Sequence, residues 1–397
     1  MNKFGKWSVA LVALSTVGIF AAWATSSDPR YNPASFEEEP LELGLAPLDE
    51  AITLAQFAHD DGGTHTMLVT SWDDETATGI DLEQLGAPVT DDPFAALGGA
   101  DLSAVRSGRL EGLPISTVAM TDLLPSGPGG EQHIGTGTNF PEHAEEANST
   151  SVFQFPKFGS ASPARTTVRA NPGILLDYEV ELCVRFDREL TSSAEFDQAV
   201  KGFFLCGDFT NRNALINLAD PDNLDSGHGF SDAKSGPDFF PTGPFLIIPS
   251  DWKAFISNVR MTTSVNGSPR QDARGGKMTL DFRSLVEKAF GDMKEPRFLY
   301  RDGYVKLMPE ASIPTSATLM SGTSEGTIFT PPTRGDIIEA IMAYLGQGGP
   351  LASEEFMDVA RRTLITNELA SKHYLQPGDI VEYGSSNLGD IVVRVVE

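Results

Sequence analysis

The sequence predicts an α+β fold that is mainly β, and three observations support this prediction. Beyond residue 130, strand-like runs such as LLDYEVELCVRF, GFFLCGDF and IVVRVV dominate, and many are bounded by Gly, Pro, Asn or Asp. The adjacent pair Asn266 and Gly267 is a typical hairpin turn. Only between residues 334 and 374 do apolar residues recur clearly at helical spacing in this part of the chain. With 397 residues, the chain can form one large or two ordinary domains with hydrophobic cores.

The first 40 residues are typical of an export signal followed by a linker. Lys3 and Lys6 precede the apolar run WSVALVALSTVGIFAA, and AWA at 22–24 has the small-x-small pattern of a secretory cleavage site. We therefore expect a signal peptide at 1–24 and a linker, rich in Ser, Pro, Asn and Glu, at 25–40. An uncleaved membrane anchor is the alternative, because the apolar run approaches the length that spans a bilayer. In both cases the folded part is expected outside the cytoplasm, in the periplasm after cleavage.

Two domains are predicted after the linker. Residues 41–128 mix strand-like runs such as HTMLVTSW with helical stretches such as PFAALGGADLSAVRSGRL, which predicts a small N-terminal α+β domain. The glycine-rich stretch SGPGG separates it from the main domain, residues 129–397. The helical segment 334–374 is interpreted as an insertion in this main domain.

Composition and motif content exclude several function classes. Lys and Arg number 29 against 55 Asp and Glu, and the net charge of −26 disfavours nucleic acid and anionic membrane surfaces as partners. The two cysteines, Cys183 and Cys206, are too few for a disulfide framework, and no CxxC or Cys/His spacing indicates zinc. The sequence has no Walker loop and no HExxH motif.

Three carboxylates alternate along one predicted strand. In the run LLDYEVEL, Asp177, Glu179 and Glu181 share one face, because successive side chains of a strand point to opposite sides. Such a row repels itself unless it binds a cation or lies open to water. Mg²⁺, Mn²⁺ and Ca²⁺ prefer oxygen ligands and would offset the repulsion. The solvated face of an edge strand explains this pattern equally well.

Seven blocks of the sequence, taken in order, resemble the fumarylacetoacetate hydrolase superfamily. The blocks are GTNFPEHAEE (137–146), DYEVEL (177–182), GFFLCGDFTNR (202–212), DAKSGPDFFPTGP (232–244), VNGSPRQ (265–271), SGTSEGT (321–327) and QPGDIVE (376–382). Each block is weakly specific alone, whereas all seven in this order are specific. The resemblance implies a mixed β-sandwich or roll for the main domain, a divalent cation such as Mg²⁺, a small-molecule oxo acid substrate and a homodimer.

The resemblance also implies a metal site. The family's ExE pair and a later Asp bind the metal, which implies Glu179, Glu181 and Asp208 as ligands. The Arg that follows this Asp by four residues is matched by Arg212, and the family's Lys is matched by Lys234 in an AKS context. Without the blocks, both cations would be read as surface charges. The family leaves the position of Asp177 variable, so we expect this residue behind the ligands or in solvent.

A predicted acid/base pair comes from the first block. The NYxxHxxE pattern of the family is matched by Asn139, Phe140, His143 and Glu146. In family members that lack the hydrolase's own arrangement, this His and Glu form the acid/base dyad. Outside this block, His143 would be read as an ordinary histidine. Thr323 in the GT block is expected to hold a substrate carboxylate or carbonyl.

Departures from the family pattern favour one branch of the family. The parent hydrolase has a fourth carboxylate seven residues before its histidine, where this chain has Thr136, so the chain resembles more closely the smaller branch that handles 2-oxo acids. Asn213 stands where an Asp is usual. The helical segment 334–374 is also unusual and is expected to cap the pocket or to form an interface. Export is a further departure, because family members are generally cytoplasmic.

The predicted function is catabolic hydrolysis of a C–C bond in an oxo acid or 1,3-diketone by a divalent-metal-dependent enzyme. In this hypothesis His143, oriented by Glu146, takes a proton from water. Lys234 and Arg212 help to stabilise the enolate that forms when the bond breaks. The alternatives are a decarboxylase or isomerase of 2-oxo acids with the same fold, and an exported protein that binds oxo acids without turnover.

The metal ligands also predict that the two cysteines are neighbours. If Glu181 and Asp208 lie roughly opposite each other on antiparallel strands, Cys183 and Cys206 face each other on the same side of the sheet. Opposed Cα atoms lie about 4.5 to 5.5 Å apart, within the range of a disulfide. Two buried free thiols are slightly favoured over a disulfide, because cross-strand disulfides are often strained.

Overall fold

Two main β-sheets organise the protein. The computed structural model describes residues 18–26, 32, 34–106, 112–220, 222–351 and 353–397. The described strands are β1 (Ala51–Ala58), β2 (Thr64–Trp72), β3 (Thr76–Asp81), β4 (Ile115–Ala119), β5 (Gln132–Gly137), β6 (Phe153–Phe158), β7 (Arg165–Arg169), β8 (Leu176–Asp177), β9 (Val180–Phe186), β10 (Lys201–Gly207), β11 (Thr210–Asn211), β12 (Leu246–Pro249), β13 (Arg260–Val265), β14 (Ser268–Arg274), β15 (Phe298–Tyr300), β16 (Gly303–Val305), β17 (Leu319–Met320), β18 (Ile380–Ser385) and β19 (Gly389–Val396). The described α-helices are α1 (18–24), α2 (Pro93–Gly99), α3 (Ser103–Arg106), α4 (Pro141–Glu146), α5 (Arg212–Leu218), α6 (Phe230–Lys234), α7 (Trp252–Asn258), α8 (Phe282–Asp292), α9 (Arg334–Gly346) and α10 (Phe356–Ser371).

Both sheets are mixed. The larger one has ten strands in the order β4-β3-β2-β1-β12-β10-β9-β17-β5-β6, and the smaller one has five in the order β14-β13-β18-β19-β7. Most neighbours are antiparallel, but β17 pairs with β5 and β19 pairs with β7 in parallel. Two-stranded ladders join β8 to β11 and β15 to β16. The predicted α+β class, mainly β, is confirmed.

The N-terminal strands extend the large sheet. Strand β1 pairs antiparallel with β12, so that Ala51 lies opposite Pro249 and Leu54 opposite Leu246. Strands β2, β3 and β4 then follow outward from β1. The chain on both sides of residue 128 therefore contributes to one hydrogen-bonded sheet, and the domain boundary there stays a prediction.

The single strand predicted for the carboxylate run is split, because Asp177 ends β8 and Glu181 belongs to β9, which lies in the middle of the large sheet. Its neighbours are β10 and β17, and all seven of its residues are buried. On one face Leu182 and Val184 join the main hydrophobic core, and on the other Cys183 joins a second core. Both faces are covered, so the solvated edge strand that the sequence pattern allowed is excluded.

The pairing of β9 with β10 joins the two cysteines in a disulfide. The strands are antiparallel as predicted, but Glu181 lies opposite Cys206 and not opposite Asp208, so the predicted register is wrong by two residues. A long Glu side chain reaches a shared site from a diagonal position, so ligands need not face each other directly. The Cα atoms of Cys183 and Cys206 are 6.0 Å apart and the two residues form a disulfide. Their predicted adjacency is confirmed, whereas the preference for free thiols is wrong.

Helices α9 and α10 occupy the segment where apolar spacing predicts helix. Helix α9 begins at a capping box, in which the Thr333 side chain accepts from the backbone N–H of Asp336 and the Asp336 side chain accepts from that of Thr333. The rings of Tyr344 and Phe356 are in edge contact at 5.6 Å, which joins the two helices. Helix α10 also contacts α5, so the pair is packed against the main body.

The segment before β1 is attached to the body where it is described. Most of the predicted signal peptide lies outside the described residues, but Trp23 Nε1 in α1 donates to Glu339 Oε1 on α9 at 2.6 Å. Within the predicted linker, Asn32 Nδ2 donates to the carbonyl oxygens of Thr327 and Phe329 at 2.9 and 2.7 Å. None of the helices in these described ranges combines the length and apolarity needed to cross a membrane.

Candidate active site

A cavity of about 600 Å³ lies between the main body and the helices α9 and α10. The predicted site residues that line it are His143, Glu146, Glu179, Arg212, Lys234 and Thr323. Glu181 and Asp208 are fully buried beside this lining. The structure therefore brings every predicted site residue to one place.

The three predicted metal ligands converge. Each of Glu179, Glu181 and Asp208 offers a carboxylate oxygen, and these oxygens lie within 4.8 Å of one another. Glu179 immediately precedes β9, and Asp208 immediately follows β10. The backbone N–H of Asp208 donates to the carbonyl of Glu179 at 2.9 Å, which fixes the two side chains next to each other.

Buried cations neutralise most of this charge. Lys234 Nζ lies 2.7 Å from Glu179 Oε2 and 2.8 Å from Asp208 Oδ2. Arg212 Nη2 lies 2.9 Å from Glu179 Oε1 and Arg212 Nε donates to Asp177 Oδ2 at 2.8 Å. Burial raises the pKa of Glu179, but the charges of Lys234 and Arg212 outweigh it and the net pKa is lowered. Glu179 is therefore ionised at neutral pH.

The arrangement fits a divalent cation, because one buried carboxylate oxygen has no other partner. Among the described residues, Glu181 Oε1 has no hydrogen-bond partner, while Glu181 Oε2 accepts from the backbone N–H of Gly322 at 2.7 Å. Burial, followed by the nearby charge of Asp208, raises the pKa of Glu181 well above its usual range. A cation shared by the carboxylates would satisfy this oxygen and keep Glu181 ionised. A donor set made only of carboxylate oxygens suits hard cations such as Mg²⁺, Mn²⁺ or Ca²⁺.

The predicted acid/base pair forms on α4. His143 and Glu146 lie three residues apart on this helix, and His143 Nδ1 is 2.9 Å from Glu146 Oε2. Glu146 Oε1 accepts from the backbone N–H of Gly326 at 2.9 Å, which holds the carboxylate in place. An ionised carboxylate only accepts, so the pairing assigns the proton to Nδ1 and leaves Nε2 as an acceptor.

Asn139 positions the start of this helix. Its side chain is fully buried, and Nδ2 donates to the carbonyl oxygens of Ser321 and Leu280 at 2.8 and 3.0 Å. Its Oδ1 accepts from the backbone N–H of Leu280 at 2.8 Å. These bonds connect α4 to the loop after β17, which includes the GT block. Asn139 thus aligns the dyad with that loop.

Thr323 lines the cavity, but its hydroxyl is engaged within the protein. Its Oγ1 donates to the carbonyl of Val180 at 2.9 Å and accepts from Gln271 Nε2 at 2.9 Å. A substrate group would have to replace one of these bonds to use the hydroxyl. The expected role of Thr323 in substrate binding stays a prediction.

Sequence reasoning missed Lys157. This residue on β6 is fully buried, and its Nζ donates to Asp208 Oδ1 at 2.6 Å and to the carbonyl of Lys234. Burial lowers the pKa of Lys157 despite the neighbouring carboxylate of Asp208. A lysine within the apolar run FQFPKF was the available signal, because lysine is rarely buried unless it is paired.

Asp177 supports the site from behind. It is fully buried, and besides Arg212 it binds the backbone N–H groups of Ile328 and Phe329 at 2.9 and 3.1 Å. The ring of Phe329 lies 5.4 Å from the Arg212 guanidinium carbon. Asp177 and Arg212 together therefore fix the loop that leads from the GT block to α9, as expected for a residue behind the ligands.

A second group of charged side chains lies outside the cavity lining. His65 Nε2 is 2.9 Å from Asp61 Oδ2, and His65 Nδ1 is 3.8 Å from Asp81 Oδ2 and 3.7 Å from Glu83 Oε2. Burial opposes a charge on His65, but the hydrogen bond with Asp61 and the nearby carboxylates outweigh it and raise its pKa. This arrangement is that of an ion cluster that joins β2 to the end of β3.

Comparison with known proteins identifies the family. The sequence profile described as "Fumarylacetoacetate (FAA) hydrolase C-terminal" matches residues 132–396, more than half of the chain. No curated protein matches the chain significantly.

Several solved structures are similar. An HpcE protein from Mycobacterium smegmatis has a TM-score of 0.53 and 19% identity, over 87% of this chain and 100% of that one. Fumarylacetoacetate hydrolase from the psychrophile Exiguobacterium antarcticum has a TM-score of 0.53 and 15% identity, over 87% of this chain and 99% of that one. A 2-hydroxyhepta-2,4-diene-1,7-dioate isomerase from Mycobacterium marinum has a TM-score of 0.49 and 16% identity, over 87% of this chain and 98% of that one. At such identities, the first two similarities show a shared fold. The profile match shows that the chain belongs to the fumarylacetoacetate hydrolase family, as the ordered blocks of the sequence predict.

Proposed function

We propose that the protein hydrolyses a C–C bond in an oxo acid or 1,3-diketone of the acylpyruvate type. The observation that carries this proposal is the His143–Glu146 dyad at 2.9 Å, in the same cavity as Glu179 and beside the buried carboxylates Glu181 and Asp208. These three carboxylates would hold Mg²⁺ or a similar cation, which when bound supplies a Lewis acid and a template for the two oxygens of a 1,3-dicarbonyl.

The dyad performs the proton transfers. His143 Nε2 accepts a proton from water, and Glu146 stabilises the resulting imidazolium through Nδ1. The hydroxide adds to the distal carbonyl carbon of the substrate. When the adjacent C–C bond breaks, its electron pair passes to the enolate of the departing fragment, and the imidazolium returns the proton to that fragment. Atoms and charges balance, with water as the only co-substrate.

The two cations at the cavity act through their charge. Lys234 Nζ has three partners, Glu179, Asp208 and Thr210 Oγ1 at 2.9 Å, and Arg212 is bound to Asp177 and Glu179. Neither residue needs to exchange these partners to lower the energy of a nearby enolate, because buried charges act over several ångströms. Their further role is to hold the carboxylates in position.

Decarboxylation or isomerisation of a 2-oxo acid is the alternative activity of this cavity. Decarboxylation needs the enolate stabilisation but no activated water, so a His–Glu pair that can accept a proton from water favours hydrolysis. A non-catalytic binding protein would not need the pair.

A panel of acylpyruvates and oxaloacetate, with and without a chelator, tests the proposal. We expect release of pyruvate and a carboxylic acid from acylpyruvates, and loss of that activity with the chelator. Glu146→Gln should reduce the rate by a factor of about 10² to 10⁴. Its matched control is Glu145→Gln, which removes an exposed carboxylate from the same helix and should leave the rate unchanged. If only oxaloacetate is turned over, with release of CO₂, the activity is decarboxylation and not hydrolysis.

We also propose that the protein acts outside the cytoplasm, in the periplasm or on a membrane anchor, as a homodimer. The support for the location is the apolar N-terminal pattern and the Cys183–Cys206 disulfide, which suits an oxidising compartment, and the dimer is proposed from the family resemblance. Cell fractionation with N-terminal sequencing tests the location, and light scattering tests the dimer. A cytoplasmic protein with an intact N-terminus would contradict export.

A further inference from the structure

The cavity continues beyond the dyad, under α9 and α10, and its wall changes character there. The side chains that form this part of the wall are apolar, namely Leu215 and Ile216 on α5, Ile337 and Ala340 on α9, and Phe356 and Met357 on α10. The catalytic part of the cavity carries the polar groups. The cavity thus has a charged end that suits an oxo acid and an apolar end that suits a different, apolar part of a ligand.

Charged side chains in the apolar part have partners in the protein. Asp336 caps its own helix through Thr333. Arg361 Nη1 faces Asp358 Oδ1 at 3.9 Å, one turn away on α10. Among the described residues at this part, the carboxylates Asp336 and Asp358 outnumber the single cation Arg361, so the local charge does not favour a second substrate carboxylate.

Three wall residues remain partly exposed to water. Ile337 and Met357 are each 50% exposed, and Phe356 is 37% exposed, although all three line the cavity. Exposed apolar surface in a cavity is covered favourably by an apolar group, at about 25 cal/mol per Å² removed from water. The wall is therefore complementary to a hydrocarbon chain or ring.

The apolar wall is held in a fixed position relative to the dyad. The loop from Phe329 to α9 is bound by Asp177, which also binds Arg212 at the charged end. The contact between Tyr344 and Phe356 joins the two helices. The apolar end is thus preformed, as is usual for ligand pockets, whose volumes are about 300 to 1,000 Å³.

We propose that this wall is an acyl subsite, and that the substrate is an acylpyruvate with a medium-length apolar acyl chain in place of a second carboxylate. The inference rests on the proposed function, because the oxo acid end is placed at the dyad. The acyl chain lies against α9 and α10, and the scissile bond lies at His143. The helical insertion is in this way the element that selects the substrate.

An acyl series tests the subsite by turnover. From acetylpyruvate to decanoylpyruvate, kcat/KM should rise by about fourfold per methylene until the cavity is filled, which corresponds to the transfer of a methylene from water. Ala340→Phe should lower the ratio of kcat/KM for decanoylpyruvate to that for acetylpyruvate at least tenfold, because the new ring occupies the subsite. Met357→Glu, at a half-exposed position that tolerates charge for folding, should lower the same ratio. Met342→Ser is the control, since Met342 is 62% exposed and does not line the cavity.

Calorimetric binding of decanoate, which has no cleavable bond, provides a readout that does not need turnover. We expect binding by the wild-type protein and by Met342→Ser, and at least tenfold weaker binding by Met357→Glu. If acylpyruvates are cleaved with no dependence on chain length, the subsite is wrong and the proposed function stands. If no acylpyruvate is cleaved but Met357→Glu weakens decanoate binding, the function is wrong and the apolar site stands. If the protein neither cleaves acylpyruvates nor binds decanoate, both the proposed function and the acyl subsite are wrong.

Discussion

Acidification should destabilise the protein through His133, a fully buried residue on β5. Its Nδ1 accepts from the backbone N–H of Thr318 at 3.1 Å, and its Nε2 is 3.1 Å from the carbonyl oxygen of Gly159. These partners require Nδ1 to be unprotonated and Nε2 to donate, so the native state needs the neutral imidazole. Burial, and then the charge of Lys157, lowers the pKa of His133 to about 4.

The size of the effect follows from the two pKa values. In the unfolded chain the pKa of His133 is near its ordinary value of 6.5, so between pH 6.5 and pH 4 the unfolded state binds more protons than the native state. The free energy of unfolding therefore falls as the pH falls through this window, and the contribution is fully present above pH 6.5. At about 1.36 kcal/mol per pKa unit, His133 alone should remove about 3 kcal/mol by pH 4.

Urea unfolding at pH 7 and pH 4 measures this loss. His133→Gln keeps a donor and an acceptor but does not titrate, so between these pH values the wild-type protein should lose about 3 kcal/mol more than the variant. His228→Gln, at a half-buried position, controls for removal of a histidine as such and should behave like the wild type. Equal losses in wild type and His133→Gln would refute the reasoning, because other groups would then carry the whole pH dependence.

Three further predictions concern the site and its supporting strands. His143→Ala should lower kcat by a factor of about 10² to 10⁴ with Mg²⁺ affinity nearly unchanged, whereas Asp208→Ala should lose both activity and Mg²⁺ binding. Kinetics measures the activity and calorimetry measures the Mg²⁺ affinity. Equal loss of metal binding in the two variants would show that the histidine is misassigned. Replacement of Cys183 and Cys206 by Ala should lower the free energy of unfolding by about 3 kcal/mol, given the 23-residue separation, as measured by urea unfolding against the oxidised wild type. No change would contradict the disulfide. Lys157→Met leaves the buried Asp208 carboxylate without this partner and should cost about 3 to 5 kcal/mol, and a loss under about 1 kcal/mol would show that Lys234 neutralises Asp208 alone.

Sequence patterns predicted those parts of the site that lie within one helical turn or one short extended stretch. His143 and Glu146 meet because residues three apart on a helix are neighbours, and the register of that contact is local. Glu179 and Glu181 reach one cluster because residues two apart on an extended chain point the same way. The order of the seven blocks then identified the family, although no single block was specific.

Long-range pairing was less accessible to the sequence. Antiparallel pairing of β9 and β10 followed from the shared ligands, but the register did not, because a glutamate side chain spans enough distance to permit more than one alignment. The helical spacing in 334–374 predicted helices, but it did not determine which part of the protein they would pack against. Their place over the cavity depends on which apolar face finds a partner.

The sequence by itself determined the family, the mainly β class and the identity of the residues that converge on the cavity. Only the tertiary structure decided how their charges are balanced, since the pairing of Lys157 with Asp208 and the two ion pairs of Arg212, with Asp177 and Glu179, join residues that are 33 or more positions apart in the sequence. The physical reason is that propensity, periodicity and spacing act over a few residues, whereas burial and ion pairing are set by segments that meet only in the folded chain.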